Sequence, residues 1–212
     1  MHWLDPDYLP KTVGTLDRFV LNPKADIDGL LLTDGTEIHT PPHLSTQLLA
    51  ALAPGAKLAV HGVKARDGGV IVAVAIDPAK GKRIVDKGPG PRHDKPEKPS
   101  HPPEKHGKPA MHSGTIQRLL HGPKGQAHGV LLDDGVVVRF PPHVAESFED
   151  LLMVGGPLSV RGVSSTKAHG TVIDAEAMGK EPSTLTEVAK HPGHGPKKPK
   201  KEHAPKDHDR HH

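Results

Sequence analysis

The sequence contains no cysteine, few aromatic residues and no long hydrophobic run. The absence of cysteine from its 212 residues excludes a disulfide framework, a cysteine-ligated zinc site and a cysteine nucleophile. No apolar run approaches the roughly 18 residues that cross a bilayer. The first residues, Met-His-Trp-Leu-Asp-Pro-Asp, lack the basic and apolar regions of a secretory signal. We therefore expect a cytoplasmic protein that has no contact with a membrane.

Motifs of the common enzyme classes are also absent. The sequence has no Gly-x-Gly-x-x-Gly after a strand, no P-loop, no Gly-x-Ser-x-Gly and no His-Glu-x-x-His. The acidic pair Asp133-Asp134 lies in a predicted hairpin turn, where aspartate is expected for turn geometry. The sequence thus predicts a protein that is not an enzyme and that needs no cofactor.

The positive charge of the chain is concentrated in two segments. Residues 80–110 carry nine Lys/Arg against four Asp/Glu, and residues 189–212 carry seven against three, whereas residues 1–79 and 111–188 are each net −3. The two basic segments hold 11 of the 23 prolines and almost no aliphatic residues. Such a composition buries too little apolar surface to offset the entropy of ordering. We predict a disordered linker over 80–111, and a short helix followed by a disordered His/Lys/Pro-rich tail over 181–212.

The two remaining segments, 12–79 and 112–180, are copies of each other. Gly14–Val63 aligns without a gap with Gly114–Val163, and 19 of the 50 positions are identical. The sequence then predicts a one-residue insertion in the second copy. A repeat period near 100 residues indicates two domains rather than a solenoid of short units.

Each copy has the same predicted elements. Asp34-Gly35 lies between two strand-like runs, a strong hairpin signal, and Pro41-Pro42 ends the following strand because proline has no N–H to donate. Leucines and alanines at helical spacing then predict a short helix, repeated in copy two as Val144, Phe148, Leu151 and Leu152. The predicted elements of copy one are strands at 12–21, 29–33, 36–40, 57–63 and 70–76, with a helix at 43–53.

The element order β-β-β-α-β-β is that of the OB-fold, a small five-stranded Greek-key barrel. An SH3-like barrel has a single 3₁₀ turn later in the chain, and a ferredoxin-like fold needs a second helix. Gly62 and Gly162 suit a bulged or sharply curved barrel strand. We predict an all-β protein with one short helix per repeat, built as two tandem five-stranded OB-like barrels joined by a disordered linker.

Two stretches carry a resemblance to known proteins. DGLLLTDGTEIHTPPHLS and its counterpart HGVLLDDGVVVRFPPHVAESF resemble a family of uncharacterised bacterial tandem OB-fold-like proteins. The family signature is D-G-[LV]-[LI]-L-x-D-G-x-x-[VI]-x-F-P-P-H. Copy one departs from it at Thr40, where copy two has Phe140. The resemblance covers both copies but neither the linker nor the tail. It implies the OB-like fold and a role in binding nucleic acid or another ligand, with no catalytic residues.

Basic residues recur at matching positions of the two copies. His39 and His61 of copy one correspond to Arg139 and Arg161 of copy two. Imidazoles from neighbouring strands could ligate zinc, nickel or copper, but arginine cannot ligate, so the shared property is positive charge. We predict that these pairs flank an anion-binding groove; the alternative is ordinary solvent-facing strand residues.

Two further pairs of matching residues have a binding and a structural interpretation. His43 and His143 follow Pro-Pro at the entry to the helix, where they either contact a ligand or contact local backbone. Arg18 and Arg118 lie on the first strand, where each either contacts a phosphate or forms a surface ion pair with a neighbouring acid.

Aromatic residues that could stack on bases are scarce. Only five are present, and Phe140 could face either the core or the groove. We therefore expect weak, salt-sensitive binding of single-stranded DNA or RNA, with the basic segments as the main contacts. The lysines that we assign to this contact are Lys197, Lys198, Lys200 and Lys201.

The tail is also rich in histidine, which can bind divalent transition metals. This makes loose Ni, Cu or Zn binding, with a metal-buffering role, the alternative function; a scaffold for a protein or a small ligand is a third. Neither a protein partner nor an oligomer is indicated by the sequence, and we expect a monomer. The candidate metal ligands are His203, His208, His211 and His212.

Overall fold

A computed structural model describes residues 5–66, 69–88 and 107–188 of the chain. These residues form two closed five-stranded β-barrels, each with one additional two-residue strand. The predicted fold class is confirmed. The predicted linker and tail lie largely outside the described residues.

Barrel one begins with a 3₁₀ turn at Pro6–Tyr8. Its strands are β1 (Lys11–Leu21), β2 (Ile27–Leu32), β3 (Glu37–His39), β4 (Lys57–Lys64), β5 (Ile71–Pro78) and the added β6 (Ile84–Val85). The barrel closes in the strand order β3-β2-β1-β4-β5. The β1–β2 and β1–β4 pairings are antiparallel, and the closing β3–β5 pairing is parallel, which is the Greek-key arrangement of an OB-fold.

Barrel two has the strands β7 (Lys108–His121), β8 (Ala127–Leu132), β9 (Val137–Arg139), β10 (Pro157–Lys167), β11 (Gly170–Gly179) and the added β12 (Thr186–Glu187). It repeats the topology of barrel one, with a parallel β9–β11 pairing and an antiparallel β7–β10 pairing. Its β10–β11 hairpin is longer than the β4–β5 hairpin of barrel one.

A β-bulge in the fourth strand of each barrel falls where the glycines predict it. The register of β4 against β5 shifts between His61 and Gly62, and that of β10 against β11 shifts between Arg161 and Gly162.

The same registers correct the repeat alignment. Gly62 faces Ala73 while Gly162 faces Ala175, so the last strand of copy two is offset by two residues, not one.

The helix between the third and fourth strands differs between the copies. In copy one a 3₁₀ turn leads into α1 (Ser45–Ala51), whereas copy two has two 3₁₀ turns, Pro142–Val144 and Glu146–Phe148. Copy one supplies the strong helix formers Leu-Leu-Ala-Ala. Copy two instead has Glu149 and Asp150, whose negative charges oppose the helix dipole at a C-terminal end.

The predicted boundaries of the barrels need correction. Ile84 is buried and pairs within β6 against β5, and Lys108 already begins β7, so residues 80–88 and 107–111 belong to the barrels and not to a linker. An isolated Ile-Val pair among lysines gives too short an apolar signal to reveal a strand. Residues 181–188 form a turn and β12 rather than a helix. No helix in the described residues is long and apolar enough to cross a membrane.

We predict that alanine at either bulge glycine destabilises its barrel. A Cβ at Gly62 would lie 2.3 Å from the carbonyl oxygen of Val72, and one at Gly162 would lie 2.1 Å from that of Asp174. The backbone must shift to relieve this contact. We expect the free energy of unfolding, measured by urea denaturation with circular dichroism, to fall by about 1–3 kcal/mol.

Gly14→Ala is the matched control for the bulge variants. Its added Cβ would meet only the side chain of Leu32, at 2.6 Å, and that side chain can change rotamer. An equal loss of stability for Gly14→Ala would contradict the interpretation that a backbone collision decides the effect.

Candidate functional site

The two barrels pack against each other, and the buried side chains that barrel two contributes come from β7, β8, β9 and β11. Side chains of barrel two join the hydrophobic core cluster of barrel one, so a single buried cluster crosses from one barrel to the other. Barrel two contributes Leu120, Leu131, Val137 and Val172. The barrels are therefore docked against each other, an arrangement about which the sequence makes no prediction.

A buried arginine lies at the centre of this interface. Arg139 is only 3% exposed. Its Nε donates to the carbonyl oxygen of Leu21 at 2.6 Å, and a terminal nitrogen donates to Asp28 Oδ1 at 2.6 Å. The other terminal nitrogen contacts Nε2 of His128. Since a buried charge is tolerated only when it is paired and hydrogen-bonded, Leu21 and Asp28 of barrel one complete a site that barrel two cannot satisfy alone.

Burial shifts the pKa values of the groups around this arginine. It raises the pKa of Asp28 to about 6, although the Arg139 guanidinium opposes the shift. Burial, together with the positive charge of Arg139, lowers the pKa of His128 to about 3. The same two causes lower the pKa of His39. Both histidines are therefore neutral at pH 7, and His128 accepts a hydrogen bond at Nε2.

Further polar contacts surround the centre of the interface. Glu37, which is 6% exposed, accepts hydrogen bonds from the backbone N–H of His121 at 2.7 Å and from its ring at 3.1 Å. At the tip of the β10–β11 hairpin, Lys167 contacts Asp26 at 2.6 Å, and the ring of His169 donates to the Ala25 carbonyl oxygen at 2.9 Å. The hairpin of barrel two thus holds the β1–β2 loop of barrel one.

Arg18 and Arg118 reach across the interface at matching positions. Arg118 donates to the carbonyl oxygen of Gly35 at 3.0 Å, and a Cβ at Gly135 would lie 3.5 Å from a terminal nitrogen of Arg18. Each arginine therefore meets the Asp-Gly turn of the other barrel, as in a dimer with two-fold symmetry. Arg18 also forms the predicted ion pair with its neighbour Asp17, at 2.8 Å.

This docking covers the surface that OB-folds generally use for oligonucleotides. That surface is formed by strands two and three and by the loops between strands one and two and between strands four and five. Here Glu37 on β3, Asp28 on β2 and Ala25 in the β1–β2 loop all contact barrel two. The conventional binding face of barrel one is consequently an internal contact.

The four matching basic residues do not converge on one groove. His39 and Arg139 come together inside the interface, where Arg139 influences the pKa of His39. His61 is 6% exposed and contacts Pro6 O at 2.9 Å and Asp77 at 3.0 Å. Arg161 is exposed and pairs with Glu187. His61, Arg139 and Arg161 each contact an acidic side chain; the anion-binding role assigned to these residues stays a prediction.

The Pro-Pro-His histidines lie at the entry to the 3₁₀ turns, as the sequence predicts. His43 Nε2 lies 3.1 Å from Asp86 Oδ1, in the segment that carries β6. This contact links the helix entry to the added strand and is not the predicted contact with local backbone; a ligand-contacting role for His43 stays a prediction.

The phenylalanine side chains are not available on the surface for stacking on bases. Phe140 and Phe19 are buried, and Phe148 packs against the core of barrel two. Within residues 5–66, 69–88 and 107–188, Tyr8 is the one strongly exposed aromatic side chain, at 87%. The alternative left open for Phe140 is thereby decided in favour of the core.

No group of three or more histidine or acidic side chains in the described residues is arranged to hold a metal ion. The tail lysines Lys197, Lys198, Lys200 and Lys201, and the predicted metal ligands His203, His208, His211 and His212, lie outside the described residues. Those assignments stay predictions.

Sequence reasoning missed the interface, although one signal pointed to it. Leu30, Leu31 and Leu32 form a continuous apolar run and all are buried. A strand with one face in solvent alternates apolar and polar residues, whereas a continuous run indicates burial on both faces. No sequence pattern of this kind indicates Asp28 or His128, because the role of each residue depends on the other barrel.

No protein-family model and no curated protein matches the chain. Among solved structures, a deletion mutant of the single-stranded DNA binding protein from Thermus aquaticus aligns with 16% identity over 89% of this chain and 96% of that chain, with a TM-score of 0.24. The wild-type form of that protein aligns with 17% identity over 87% and 94%, with a TM-score of 0.25. At these values the alignments identify no site and no ligand for this chain.

We predict that Arg139→Leu strongly destabilises the docked chain. The substitution leaves Asp28 buried without its partner, and breaking a buried ion pair costs about 3–5 kcal/mol. Arg161→Leu on the same barrel is the control, because its ion pair is exposed and exposed pairs contribute about 0–1 kcal/mol. Urea denaturation of both variants measures the difference; equal losses would show that Arg139 has no special role.

We predict that His128 makes stability fall in acid. Because its pKa is about 3 in the folded chain and 6.5 as the ordinary value, the unfolded chain binds the extra proton as the pH falls below 6.5. The contribution of His128 to the free energy of unfolding is complete above pH 6.5 and is lost progressively as the pH falls toward 3. At pH 5 the loss is about 2 kcal/mol.

His128→Gln isolates this contribution, because glutamine can still accept from Arg139 but does not titrate. Asp28 acts in the opposite direction, since its raised pKa makes the folded chain bind a proton first between pH 6 and 3.8. The measurement is therefore the difference in unfolding free energy between wild type and variant at pH 8 and pH 5. A difference that does not change with pH would contradict the prediction.

Proposed function

We propose that this chain is a non-enzymatic protein that binds single-stranded DNA or RNA weakly and without sequence preference, chiefly through its basic linker and tail. The barrels act as a rigid body that presents these segments. Binding of this kind depends on lysine and arginine contacts to phosphates.

The distribution of charge carries the proposal. The described residues hold 17 Lys/Arg and 18 Asp/Glu, whereas residues 89–106 and 189–212 hold 11 Lys/Arg against six Asp/Glu. Residues 5–88, which include the segment around β6, carry ten Lys/Arg and ten Asp/Glu and are therefore neutral. The boundary predicted from the sequence, at residue 79, implied an acidic barrel. The excess positive charge of the chain therefore belongs to the two segments outside the described residues.

Two features of the barrels support weak binding without base readout. The conventional binding face of barrel one contacts barrel two, and Phe140 and Phe19 are buried. Sequence-tolerant stacking on aromatic side chains typically contributes about 1–3 kcal/mol per base, and these two side chains are not placed to supply it. Two basic segments on one body gain affinity only when both contact the same strand.

We predict that removing the tail weakens binding and flattens its salt dependence. The test is fluorescence anisotropy of a labelled 30-nucleotide oligo(dT) between 25 and 200 mM NaCl, with the full chain and with a chain ending at residue 188. Residues 189–212 carry seven Lys/Arg, so the slope of log K against log salt is expected to decrease in magnitude by up to about 5, at about 0.7 per phosphate contact.

A full-length chain with those seven residues changed to glutamine is the matched control, because it keeps the tail length and its histidines. It should behave like the truncated chain. Unchanged binding after either change would contradict the tail-driven form of the proposal, and no binding by the wild-type chain would remove the proposal. Binding lost on truncation but retained in the glutamine variant would assign the contact to the histidines.

A further inference from the structure

Three lysines from distant parts of the sequence surround one cleft between the barrels. The cleft has a volume of about 480 Å³ and lies between the β1–β2 loop of barrel one and the β10–β11 hairpin of barrel two. We call it the lysine cleft. Its lining residues are Lys24, Ala25, Gly107, Lys108, Ser164, Ser165, Thr166 and Lys167.

The backbone around the lysine cleft is fixed by local contacts. The Asn22 side chain accepts from the N–H groups of Lys24 and Asp26 at 2.9 and 3.0 Å, which holds the β1–β2 loop in place. Lys108 begins β7 and pairs with Ser164 of β10. Lys167 ends β10. Docking of the barrels therefore brings the three lysine residues to the lining of one cleft.

The lysine cleft has a positive charge that its own acid does not cancel. Asp26 contacts Lys167 at 2.6 Å, and this contact lowers the pKa of Asp26, so the carboxylate is charged at neutral pH. Lys24 and Lys108 are exposed, and neither has an ion-pair partner among the described residues. With three lysines and one aspartate, the cleft is net positive and also presents hydroxyl groups.

Three lysines distinguish the lysine cleft from the other clefts of the described residues; the cleft that contains Lys64 and Arg118 also contains Glu37. The groove beside α1 has Lys57 and Lys80 but is otherwise lined by leucine, alanine and proline. The corresponding groove of barrel two has one lysine, Lys180, together with Asp150 and Glu181. The groove beside α1 differs from the lysine cleft in lacking hydroxyl groups, and the groove of barrel two differs from it in being net negative.

We propose that the lysine cleft binds the phosphate backbone of single-stranded nucleic acid, with Lys24, Lys108 and Lys167 each contacting a phosphate. The inference rests on the proposed function and assigns part of the contact to the folded body. Residues 89–106, which carry four Lys/Arg and three Asp/Glu, directly precede Gly107 of the cleft in the sequence.

The experiment compares two triple variants of the full chain that change net charge equally. Lys24→Gln, Lys108→Gln and Lys167→Gln remove the lysine cleft, while Lys57→Gln, Lys80→Gln and Lys180→Gln remove exposed lysines of the other two grooves. Binding to the labelled oligo(dT) is measured against salt. The cleft variant is expected to reduce the magnitude of the slope by about 2, at about 0.7 per lost contact, and the control by less than half of that. Circular dichroism checks that both are folded.

A crosslinking experiment tests location independently of charge. Because the chain has no cysteine, Thr166→Cys and Ser147→Cys each give one site for a photoactivatable probe, in the lysine cleft and in the barrel-two groove respectively. Crosslinking to oligo(dT) from position 166, with little from position 147, is the expected result.

The outcomes separate this inference from the proposed function. If the wild-type chain does not bind oligo(dT), both fail. If it binds and the two triple variants lose equal slope, or if the two crosslinking sites react equally, the lysine cleft is wrong while tail-driven binding stands. If the chain ending at residue 188 still binds oligo(dT), and the three cleft substitutions abolish the binding of that chain, the cleft is supported separately from the tail.

Discussion

Burial of the Arg139 guanidinium between the barrels is the constraint on which the rest of the arrangement depends. A charge that is 3% exposed needs all of its donors satisfied, and its partners Leu21 O and Asp28 belong to the other barrel. Burial of the apolar cluster around it stabilises the contact between the barrels without specifying their orientation, whereas the hydrogen bonds that Arg139 donates fix one orientation of the two barrels. The cost of leaving this charge unpaired makes the docked arrangement the stable one.

The docking also decides which surfaces are available to a partner. Strands β2 and β3 and the β1–β2 loop, where an OB-fold ordinarily contacts its ligand, are engaged by barrel two. The surfaces that remain available to a polyanion are then the rim of the interface and the basic segments beyond the barrels. The lysine cleft is one product of this arrangement, because Lys24 comes from one barrel and Lys108 and Lys167 come from the other.

The fold could be predicted from the sequence because its determinants are local. The Asp34-Gly35 turn, the Pro41-Pro42 stop and the bulge at Gly62 each act on neighbouring residues, and the duplication repeats the same signals. The candidate site depends on pairs such as Asp28 with Arg139, which are separated by 111 residues. No local pattern specifies which barrel face meets which. The strand β6 was missed for a different reason, since two apolar residues among lysines are too few for a periodic signal.

The residues at the interface have diverged between the two copies, so that copy one supplies the acids and copy two the bases. Positions 28 and 39 are occupied by Asp28 and His39 in copy one and by His128 and Arg139 in copy two, and Asp28 pairs with Arg139. At the periphery Glu37 pairs with His121, while the matching residues Leu21 and Val137 are buried in the apolar cluster. Duplication within one chain permits this asymmetry, because matching positions can carry different residues, whereas two identical barrels carry the same residue at both.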